Sequence, residues 1–362
     1  MSAVIYGVIL AGGKGERFWP LSRIDKPKQF LRLTSEKTML EETIDRVKPL
    51  IPHENVRIVS GESMSQHIRD SLKGYGEVKV LTEPRARNTC LAIGLAAAHL
   101  VKENPEAVMA VLSADHLIRP PEKLLRILED AVAIASKDSR IVTIGITPTR
   151  PETGYGYIKL GNPIAFHGDS SVFEVSAFAE KPKAVVAQEY YYSRKYLWNS
   201  GMFVWRAQTI LDSIRSCQAE LAELIDEYSE SIGTEHERTA RTELYNKSIS
   251  ISIDYAVLEN AENVAVIKAD IVWDDVGSWG SLQRYKQQDA DNNVMIGDVI
   301  SLETYETTVY NDAEGIIATL GMSDAVVVRS GDITLVAHKT KLDKIKDLLA
   351  QLKEDESYHK YL

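Results

Sequence analysis

Cysteine is scarce in this sequence, and its histidines form no pattern. Only two cysteines, Cys90 and Cys217, occur among 362 residues. They are too few and too far apart for a disulfide framework or a zinc site. The eight histidines include no pair at the spacing of metal ligands. We therefore expect neither a disulfide-stapled fold nor a zinc centre.

The sequence also lacks long apolar runs and an excess of positive charge. The longest helical apolar stretch, residues 91–101, contains His99 and is too short to cross a bilayer. The first apolar segment, residues 4–10, ends in glycines and not in a signal-peptide cleavage site. A formal net charge of −10 argues against nucleic acid or an anionic membrane as a partner. We expect a cytoplasmic protein that binds neither.

Strand-like and helix-like segments alternate through the first half of the chain. The apolar patterns predict strands at residues 4–10, 56–60, 78–82, 108–113 and 141–146. They predict helices at residues 38–50, 62–73, 89–102 and 121–136. This alternation predicts an α/β fold with a Rossmann-like, mostly parallel sheet, in which ligands bind at the carboxyl ends of the strands.

The pattern changes twice in the second half. After residue 150 we expect sheet extensions at 155–160 and 172–179, followed by helices between residues 207 and 259. From about residue 297, short apolar runs separated by Gly, Asp, Asn and Ser predict a small all-β module that ends in an amphipathic helix. We therefore divide the chain into a large α/β domain, residues 1–288, and a small C-terminal β domain, residues 289–362.

The most informative stretch, residues 10–30, follows the first predicted strand. It contains Gly12, Gly13 and Gly15, together with five cations and two acids, so its local charge is +3 within an acidic chain. Glycines let the backbone approach a ligand closely and point N–H groups at it, which favours an anion. A positive loop on an acidic protein suits a polyphosphate ligand.

Two other phosphate-binding glycine loops are excluded by spacing. The sequence contains no Gly-x-x-x-x-Gly-Lys-Ser/Thr string. The dinucleotide fingerprint Gly-x-Gly-x-x-Gly fails because Phe18 stands where the third glycine belongs. A nicotinamide-dependent dehydrogenase is therefore disfavoured.

Two aspartates are candidate magnesium ligands. Asp115 follows the predicted strand 108–113, and Asp275 lies in the string Trp-Asp-Asp-Val-Gly-Ser-Trp, in which Asp274 is the alternative. Mg²⁺ takes one or two carboxylates together with substrate phosphates, so two distant aspartates that converge in the fold would suffice.

The segment Glu83-Pro84-Arg85-Ala86-Arg87-Asn88-Thr89 is a candidate base-binding segment. The family resemblance described next implies a guanine base, which presents two N–H donors and one carbonyl acceptor on its Watson–Crick edge; a carboxylate paired with an amide suits that pattern. Glu83 and Asn88 could supply these groups, although Asn88-Thr89 is also an ordinary start of a helix.

Residues 10–30, with the other motifs, resemble the signature of the sugar-nucleotide pyrophosphorylases, specifically the mannose-1-phosphate guanylyltransferases. The resemblance covers residues 4–285. It implies a magnesium-dependent reaction that makes GDP-mannose and pyrophosphate from GTP and mannose 1-phosphate. It also implies that Arg17 and Lys28 contact phosphates, because they match the Arg of Gly-x-Gly-x-Arg and the Lys of Pro-Lys-Gln-Phe. The spacing Trp-x-Asp-x-Gly selects Asp275 over Asp274.

The same resemblance assigns the remaining site residues. The nucleotide would contact Gly12, Gly13, Gly15, Glu83, Pro84, Asn88 and Thr89. The sugar phosphate would contact Gly154, Tyr155, Gly156, Glu180, Lys181 and Asn199. Asp115 and Asp275 would hold the metal. The chain departs from the usual Asn-Thr-Ala-Pro-Ala string, because Cys90-Leu91 replaces Ala-Pro.

Two alternative functions stay open. One is the same chemistry on another hexose 1-phosphate or another nucleotide. The other is a non-catalytic relative that binds sugar nucleotide as a regulatory subunit, which the intact set Arg17, Lys28, Asp115 and Asp275 disfavours. A small sheet with exposed edges usually needs covering, so we expect the C-terminal β module to pack against the catalytic domain or a second copy, and we expect a homodimer.

Overall fold

The structure is a computed structural model that describes residues 4–362. The described chain forms two compact units. The first comprises the residues up to Gly12, Thr43–Ala114 and Ile118–Trp273. The second comprises Gly13–Glu42, Asp115–Leu117 and Asp274–Leu362. The glycine-rich loop therefore belongs to the same compact unit as the C-terminal β module.

Strands and helices are numbered in chain order. The strands are β1 Ile5–Leu10, β2 Val56–Gly61, β3 Lys79–Glu83, β4 Val108–Ser113, β5 Leu117–Arg119, β6 Ile141–Ile146, β7 Tyr157–Pro163, β8 Ser171–Ala179, β9 Tyr196–Arg206, β10 Val264–Ala269, β11 Val272–Asp274, β12 Val294–Ile296, β13 Val299–Leu302, β14 Thr308–Asn311, β15 Ile317–Leu320, β16 Ala325–Ser330 and β17 Ile333–His338. The α-helices are α1 Met39–Val47, α2 Ser65–Ser71, α3 Asn88–Glu103, α4 Pro121–Asp138, α5 Ala184–Ser193, α6 Ala207–Cys217, α7 Ala219–Ser231, α8 Glu237–Lys247, α9 Leu282–Tyr285 and α10 Ile345–Glu354.

A nine-stranded sheet forms the frame of the first unit, in the order β3-β2-β1-β4-β9-β6-β10-β8-β7. The strands β3, β2, β1 and β4 are parallel neighbours, as are β10 and β6. The predicted α/β fold with a parallel sheet is confirmed. Because β1, β3 and β4 run in one direction, their carboxyl ends share one edge of the sheet, where polar residues follow them.

Strand β9 is the main difference from the prediction. It runs antiparallel between β4 and β6 in the middle of the sheet. The sequence pattern missed it because Asn199-Ser200-Gly201 interrupts its apolar residues and is typical of a loop. The hydroxyl of Ser200 donates to the carbonyl of Ile144 at 2.6 Å, so this polar group is satisfied inside the sheet.

Helix α3 provides much of the core of the first unit. Ten of its sixteen residues are buried, including every residue from Cys90 to Ala98. An uninterrupted buried run of small and apolar side chains requires neighbours on several sides of the helix, and α6 and α7 pack against it. Gly94 allows the close approach, because a Cβ there would lie 2.7 Å from Cδ1 of Ile225 on α7.

The C-terminal part of the second unit is built from short strands. One sheet has the order β12-β14-β16-β17, with β12, β14 and β16 parallel to one another. A second sheet pairs β13 with β15, also in parallel. Helix α10 follows, with Ile345 and Leu349 buried. The predicted C-terminal β module with a closing helix is confirmed.

The core of the second unit includes residues from both ends of the sequence. Phe18 and Trp19 pack in one cluster with Trp279 and with apolar residues of β16, β17 and α10. The indole N–H of Trp19 donates to the carbonyl of Tyr361 at 2.7 Å, and that of Trp279 donates to the carbonyl of Trp19 at 3.0 Å. The backbone N–H of Ile24 donates to the carbonyl of Leu362 at 3.3 Å. The C-terminal residues thus help to hold the loop after β1.

Strands β5 and β11 pair in a separate two-stranded sheet. Within residues 4–362, no helix combines the length and the apolar character that a membrane span requires.

A glycine in β6 provides a test of the packing of the central sheet. A Cβ at Gly145 would lie 2.6 Å from Cδ1 of Leu197 and 2.8 Å from Cγ2 of Val266. We expect Gly145→Ala to lower the free energy of unfolding by about 2 kcal/mol, because an overpacked core must distort. Urea denaturation measures this.

The matched control is Gly7→Ala in β1, whose added Cβ would find its nearest side-chain atoms at an ordinary 3.5 Å. Equal losses in the two variants would contradict the packing argument.

Candidate active site

The second unit contains a cluster centred on Lys28. This lysine is 5% exposed, and it begins a short 3-10 turn, Lys28–Phe30. Its ammonium donates to Oδ2 of Asp115 at 2.8 Å and to the backbone carbonyl of Asp275 at 2.6 Å. Two of its three N–H donors are thus used by these two acceptors. The structure brings together Lys28, Asp115 and Asp275.

The conformation of the glycine loop depends on Gly15. This residue has φ +64°, and a Cβ there would collide with Cβ of Lys28 and lie 2.8 Å from its backbone nitrogen. Only glycine accommodates both the left-handed backbone and the close contact. The hydroxyl of Ser22 donates to the carbonyl of Gly15 at 2.7 Å, which fixes the turn. Gly12 and Gly13 are exposed, as is Arg17 on the 3-10 turn Glu16–Phe18.

The electrostatics of Asp115 are set by two opposing effects. Burial would raise the pKa of its carboxyl, but the Lys28 ammonium and then His116 outweigh burial and keep this pKa below its usual value. Asp115 therefore stays ionised at neutral pH. Oδ2 of this carboxylate also lies 4.0 Å from the position of a Cβ on Gly13, so the charge is close to the exposed glycine loop.

Asp274 and Asp275 have different surroundings. The carboxylate of Asp274 is 5% exposed, pairs with the guanidinium of Arg284 and accepts a hydrogen bond from the N–H of Val276 at 2.8 Å. The side chain of Asp275 is 34% exposed, and its Oδ1 lies 4.0 Å from Nη2 of Arg284. Asp274 is thus engaged in a structural pair, whereas Asp275 is accessible.

The backbone after Asp275 is strained. Val276 is fully buried with φ +46°, a conformation that β-branched residues rarely adopt. Such strain costs on the order of 1–3 kcal/mol and persists only when the surrounding structure imposes it.

The carboxylates suit a magnesium ion that is also held by a substrate. Among residues 4–362, no group of three or more His, Cys, Asp and Glu side chains could hold a metal ion. Asp115 and Asp275 supply two carboxylates, and both residues are tied to the same ammonium group. Mg²⁺ usually takes one or two carboxylates and completes its shell with water and substrate phosphates. The donor set therefore fits Mg²⁺ bound together with a phosphate.

The first unit contains Glu83 at the carboxyl end of β3. Its carboxylate is 7% exposed, and Oε1 accepts a hydrogen bond from the hydroxyl of Tyr245 at 3.2 Å. Burial raises the pKa of Glu83 to about 7, and the hydrogen bond from Tyr245 works in the opposite direction. Its other oxygen, Oε2, lies 3.7 Å from the position of a Cβ on Gly12. A carboxylate that titrates near neutrality is a mark of functional sites.

The residues after Glu83 lead into α3. Pro84 is half-buried, and Asn88 is exposed with φ +64°. Oδ1 of Asn88 accepts a hydrogen bond from the N–H of Thr89 at 2.9 Å, and the hydroxyl oxygen of Thr89 accepts one from the N–H of Ile253 at 2.9 Å. Helix α3 thus begins at Asn88, the other interpretation that the sequence leaves open, and the Thr89 hydroxyl joins its first turn to Ile253.

A second polar cluster of the first unit contains the predicted sugar-phosphate residues. The ammonium of Lys181 lies 3.0 Å from Oε1 of Glu180, and the N–H of Asn199 donates to the carbonyl of Gly156 at 2.8 Å. A Cβ on Gly156 would collide with Oε2 of Glu180 and lie 3.2 Å from Cβ of Asn199, so the three residues are closely packed. The structure thus brings together Gly156, Glu180, Lys181 and Asn199.

Two predicted sugar residues have a different character. The ring of Tyr155 is buried and packs edge-on against Trp198 and Trp273, with centroids 5.2 Å and 5.0 Å away. Its carbonyl accepts a hydrogen bond from the N–H of Lys181 at 3.2 Å. Gly154 is exposed and donates its N–H to Oε1 of Glu152 at 3.2 Å. The aromatic ring of Tyr155 therefore acts in packing.

Sequence reasoning missed Asp254. Its Oδ1 accepts a hydrogen bond from Nδ2 of Asn199 at 2.9 Å, while Oδ1 of Asn199 accepts from Thr143 at 3.3 Å and from the N–H of Gly201 at 3.2 Å. The amide of Asn199 is thus held in one orientation. Asp254 begins a π-helical turn, Asp254–Leu258, a distortion that is frequent at functional sites.

Asp254 also lies beside a second carboxylate. Burial, followed by the charge of Glu180, raises the pKa of Asp254 to about 6. No sequence signal marks this aspartate, because its partner Asn199 is 55 positions away.

Comparison with known proteins gives two family matches. The family described as nucleotidyl transferase matches residues 6–292. The family described as MannoseP isomerase/GMP-like beta-helix domain matches residues 297–352.

Relatives and solved structures agree with these matches. A mannose-1-phosphate guanylyltransferase of Escherichia coli (strain K12) is 35% identical over 356 residues, which are 97% of this chain and 74% of the relative. The xanthan biosynthesis protein XanB of Xanthomonas campestris pv. campestris (strain B100) is 37% identical over 96% of this chain and 73% of its own. A crystal structure described as mannose-1-phosphate geranyltransferase from Thermus thermophilus matches with a TM-score of 0.85 and 35% identity, over 97% of this chain and 99% of that one. The chain therefore belongs to the nucleotidyl transferase family, and within it to the group of the mannose-1-phosphate guanylyltransferases.

Proposed function

We propose that this protein transfers GMP from GTP to mannose 1-phosphate and releases pyrophosphate. The relatives named above support the choice of substrates, and the cluster of Lys28, Asp115 and Asp275 is the observation that carries the proposal. In this reaction an oxygen of the sugar phosphate attacks the α-phosphorus of GTP. The bond from that phosphorus to the bridging oxygen breaks, and pyrophosphate leaves with the electron pair. The attacking oxygen is already ionised at neutral pH, so the reaction needs no general base.

The proposed role of the second unit is to stabilise phosphate charge. The exposed guanidinium of Arg17 can fork across two phosphate oxygens, and the remaining N–H of Lys28 can donate to one. Exposed backbone N–H groups of the glycine loop add fixed dipoles. Preorganised donors of this kind are the main catalytic resource when no covalent intermediate forms. Mg²⁺, held by Asp115 and Asp275, would supply additional positive charge to the phosphates.

The proposed role of the first unit is to recognise the base and the sugar. Glu83 would accept the two N–H groups of guanine, with Gly12, Pro84, Asn88 and Thr89 beside it. Glu180 and Asn199 would bind hydroxyls of mannose and Lys181 its phosphate, with Gly154, Tyr155 and Gly156 shaping the pocket. Asp254 would hold the amide of Asn199 in the orientation that this binding requires.

We further propose residues 1–288 as the catalytic domain and residues 289–362 as the C-terminal β domain. The boundaries of the two family matches support this division. A cytoplasmic location stays a prediction.

The function is tested by an assay of pyrophosphate release. Purified protein with Mg²⁺ is given each of GTP, ATP, UTP and dTTP with mannose 1-phosphate or glucose 1-phosphate. We expect GTP with mannose 1-phosphate to have the highest kcat/KM, and glucose 1-phosphate to be tolerated better than the wrong nucleotides. Equal turnover with UTP or dTTP would reject the base assignment, and no turnover with any pair would favour a non-catalytic sugar-nucleotide binder.

The two adjacent aspartates provide a matched test of the metal site. Asp275→Asn keeps the shape of the side chain but removes its charge, and we expect kcat to fall by a factor on the order of 10². Asp274→Asn breaks the pair with Arg284 and should instead lower the free energy of unfolding. The opposite pattern at limiting Mg²⁺ would show that Asp274 is the ligand.

Metal rescue separates the ligands from the phosphate-binding cations. We expect raised Mg²⁺ or Mn²⁺ to restore part of the activity of Asp115→Asn. The same additions should not restore Arg17→Ala, because that variant lacks a contact with phosphate and not with metal. Equal rescue of both variants would contradict these roles.

We expect Glu83→Gln to lose activity and to raise the free energy of unfolding. The pKa of Glu83 is raised to about 7 from 4.5, so its ionisation costs folding free energy as pH rises through this range. We expect the stability gained by Glu83→Gln to be roughly 2–3 kcal/mol larger at pH 8 than at pH 5, and turnover with GTP to be lost. Urea denaturation at the two pH values measures the difference. Glu235→Gln is the control, because Glu235 is 88% exposed; a gain independent of pH would refute the argument.

The homodimer is proposed from the C-terminal module. Ile300, Leu302 and Leu320 on the β13–β15 sheet are each about 60–70% exposed, and contiguous exposed apolar side chains usually mark an interaction surface. Sedimentation over a range of concentrations should reveal a dimer. A monomer at every concentration would refute this proposal and leave the catalytic one intact.

A further inference from the structure

The base-binding segment and the adjoining Cys90 are joined to residues 245–253 by five hydrogen bonds within the first unit. One of them runs from Nη2 of Arg87 to the carbonyl of Asn246 at 3.5 Å. Nε of Arg87 donates to the carbonyl of Tyr245 at 2.8 Å, and the hydroxyl of Tyr245 donates to Glu83 at 3.2 Å. Two further bonds join Thr89 and Cys90 to residues 251–253. Arg87 and Tyr245 have no role in the proposed function, yet Tyr245 bonds to Glu83, and Arg87 bonds to the backbone of Tyr245.

We infer that Tyr245 is a positioning residue for base selection, because its buried hydroxyl holds one oxygen of Glu83 in place for the edge of the base. The inference rests on the proposed role of Glu83 in binding the base. Arg87 supports it indirectly, because its guanidinium fixes the backbone of Tyr245 at the end of α8.

The geometry leaves the carboxylate available to a ligand. Tyr245 is fully buried, and its hydroxyl occupies one lone pair of Oε1. An ionised carboxylate offers about four acceptor positions, so one on each oxygen can still receive an N–H group. Oε2 lies 3.7 Å from the position of a Cβ on Gly12, two residues after β1.

The ionisation of Glu83 decides which base it complements. An ionised carboxylate presents two acceptors, which match N1–H and N2–H of guanine. A protonated carboxyl presents one donor and one acceptor, which match N1 and N6–H of adenine. Loss of the proton thus converts an adenine-compatible group into a guanine-specific one. A site whose buried polar groups would be left unpaired rejects the wrong ligand strongly.

The surroundings of Glu83 oppose this ionisation, and Tyr245 counteracts them. Burial raises the pKa of Glu83, and the hydrogen bond from Tyr245 lowers it. Tyr228 of α7 and Arg241 of α8 act on the hydroxyl of Tyr245 electrostatically. Burial also raises the pKa of Tyr245, with the charge of Glu83 as the next cause, so this hydroxyl stays protonated and remains a donor.

The test compares Tyr245→Phe with wild type across pH 5.5–9. In wild type, kcat/KM for GTP should fall below about pH 7, where Glu83 becomes protonated. In Tyr245→Phe this fall should move up by roughly one pH unit, because a hydrogen bond to a charged group is lost. The preference for GTP over ATP at pH 7 should drop about tenfold, while KM for mannose 1-phosphate stays within about twofold of wild type.

Tyr228→Phe is the matched control. Tyr228 is equally buried in the same cluster, but its hydroxyl bonds to His99 at 2.8 Å and not to Glu83. This variant should keep the wild-type pH profile and base preference even if it is less stable. Identical profiles for Tyr245→Phe and wild type, or identical shifts in the two variants, would overturn the inference.

A direct titration separates this inference from the proposed function. Infrared spectra of the ligand-free protein, with Glu83→Gln as the reference, report the protonation of Glu83 without any turnover. If Tyr245→Phe raises the pKa of Glu83 but the wild-type protein does not use GTP, the proposed function fails and the effect of Tyr245 on Glu83 stands. If the wild-type protein uses GTP, but Tyr245→Phe changes neither the pKa of Glu83 nor the pH profile of kcat/KM, the inference fails. If Tyr245→Phe does not fold, Arg87→Ala replaces it in the test. We expect this variant to shift the pKa of Glu83 and the pH profile of kcat/KM in the same direction, by a smaller amount.

Discussion

The buried ammonium of Lys28 is the interaction on which the second unit depends. It joins a loop near the start of the chain to two segments that follow it by 87 and 247 positions. Moving a cation out of water is costly, and removing one partner of a buried ion pair typically costs about 3–5 kcal/mol because the other charge is left uncompensated. The collision that any Cβ on Gly15 would make with Lys28 shows how closely the loop is packed against this lysine. The same group that holds the motifs together is also the proposed phosphate ligand, so its structural and chemical roles cannot be separated by removing it.

In the first unit, the corresponding constraint is the direction of the strands. Parallel strands bring their carboxyl ends to one edge, and Glu83 lies at such an end. The antiparallel strand β9 adds polar groups to the middle of the sheet, and Asn199 lies on it with both ends of its amide hydrogen-bonded. Partners from later in the chain, Tyr245 and Asp254, hold the two acidic clusters. A residue outside the sequence motifs thus orients a motif residue in each cluster: Tyr245 orients Glu83, and Asp254 orients Asn199.

Much of the fold could be predicted from the sequence. Strand-like and helix-like apolar patterns alternate clearly in the first half, and the apolar runs become short after residue 297. Strands β4 and β6 coincide with the predicted ranges. Strand β9 was missed because three polar or small residues interrupt it, and only the sheet around it satisfies them. Motifs of specific spacing singled out Lys28, Asp115 and Asp275, and the structure joins them through the Lys28 ammonium, but their roles stay predictions. Tyr245 and Asp254 could not be, since a lone tyrosine or aspartate has no local signal and acquires its role only from a partner far away in the chain.

The hydrogen bonds from Trp19 to Tyr361 and from Ile24 to Leu362 have a consequence for the order of folding during synthesis. The glycine-rich loop is synthesised well before α10, but Phe18 and Trp19 at its end pack in a core that contains residues of α10 and of the stretch beyond. Contacts between residues so far apart in sequence form late, because a long loop must first be closed. The apolar side chains of Phe18 and Trp19 therefore stay without their final neighbours until α10 has been synthesised. During that interval they are natural targets for chaperones that bind exposed aromatic segments.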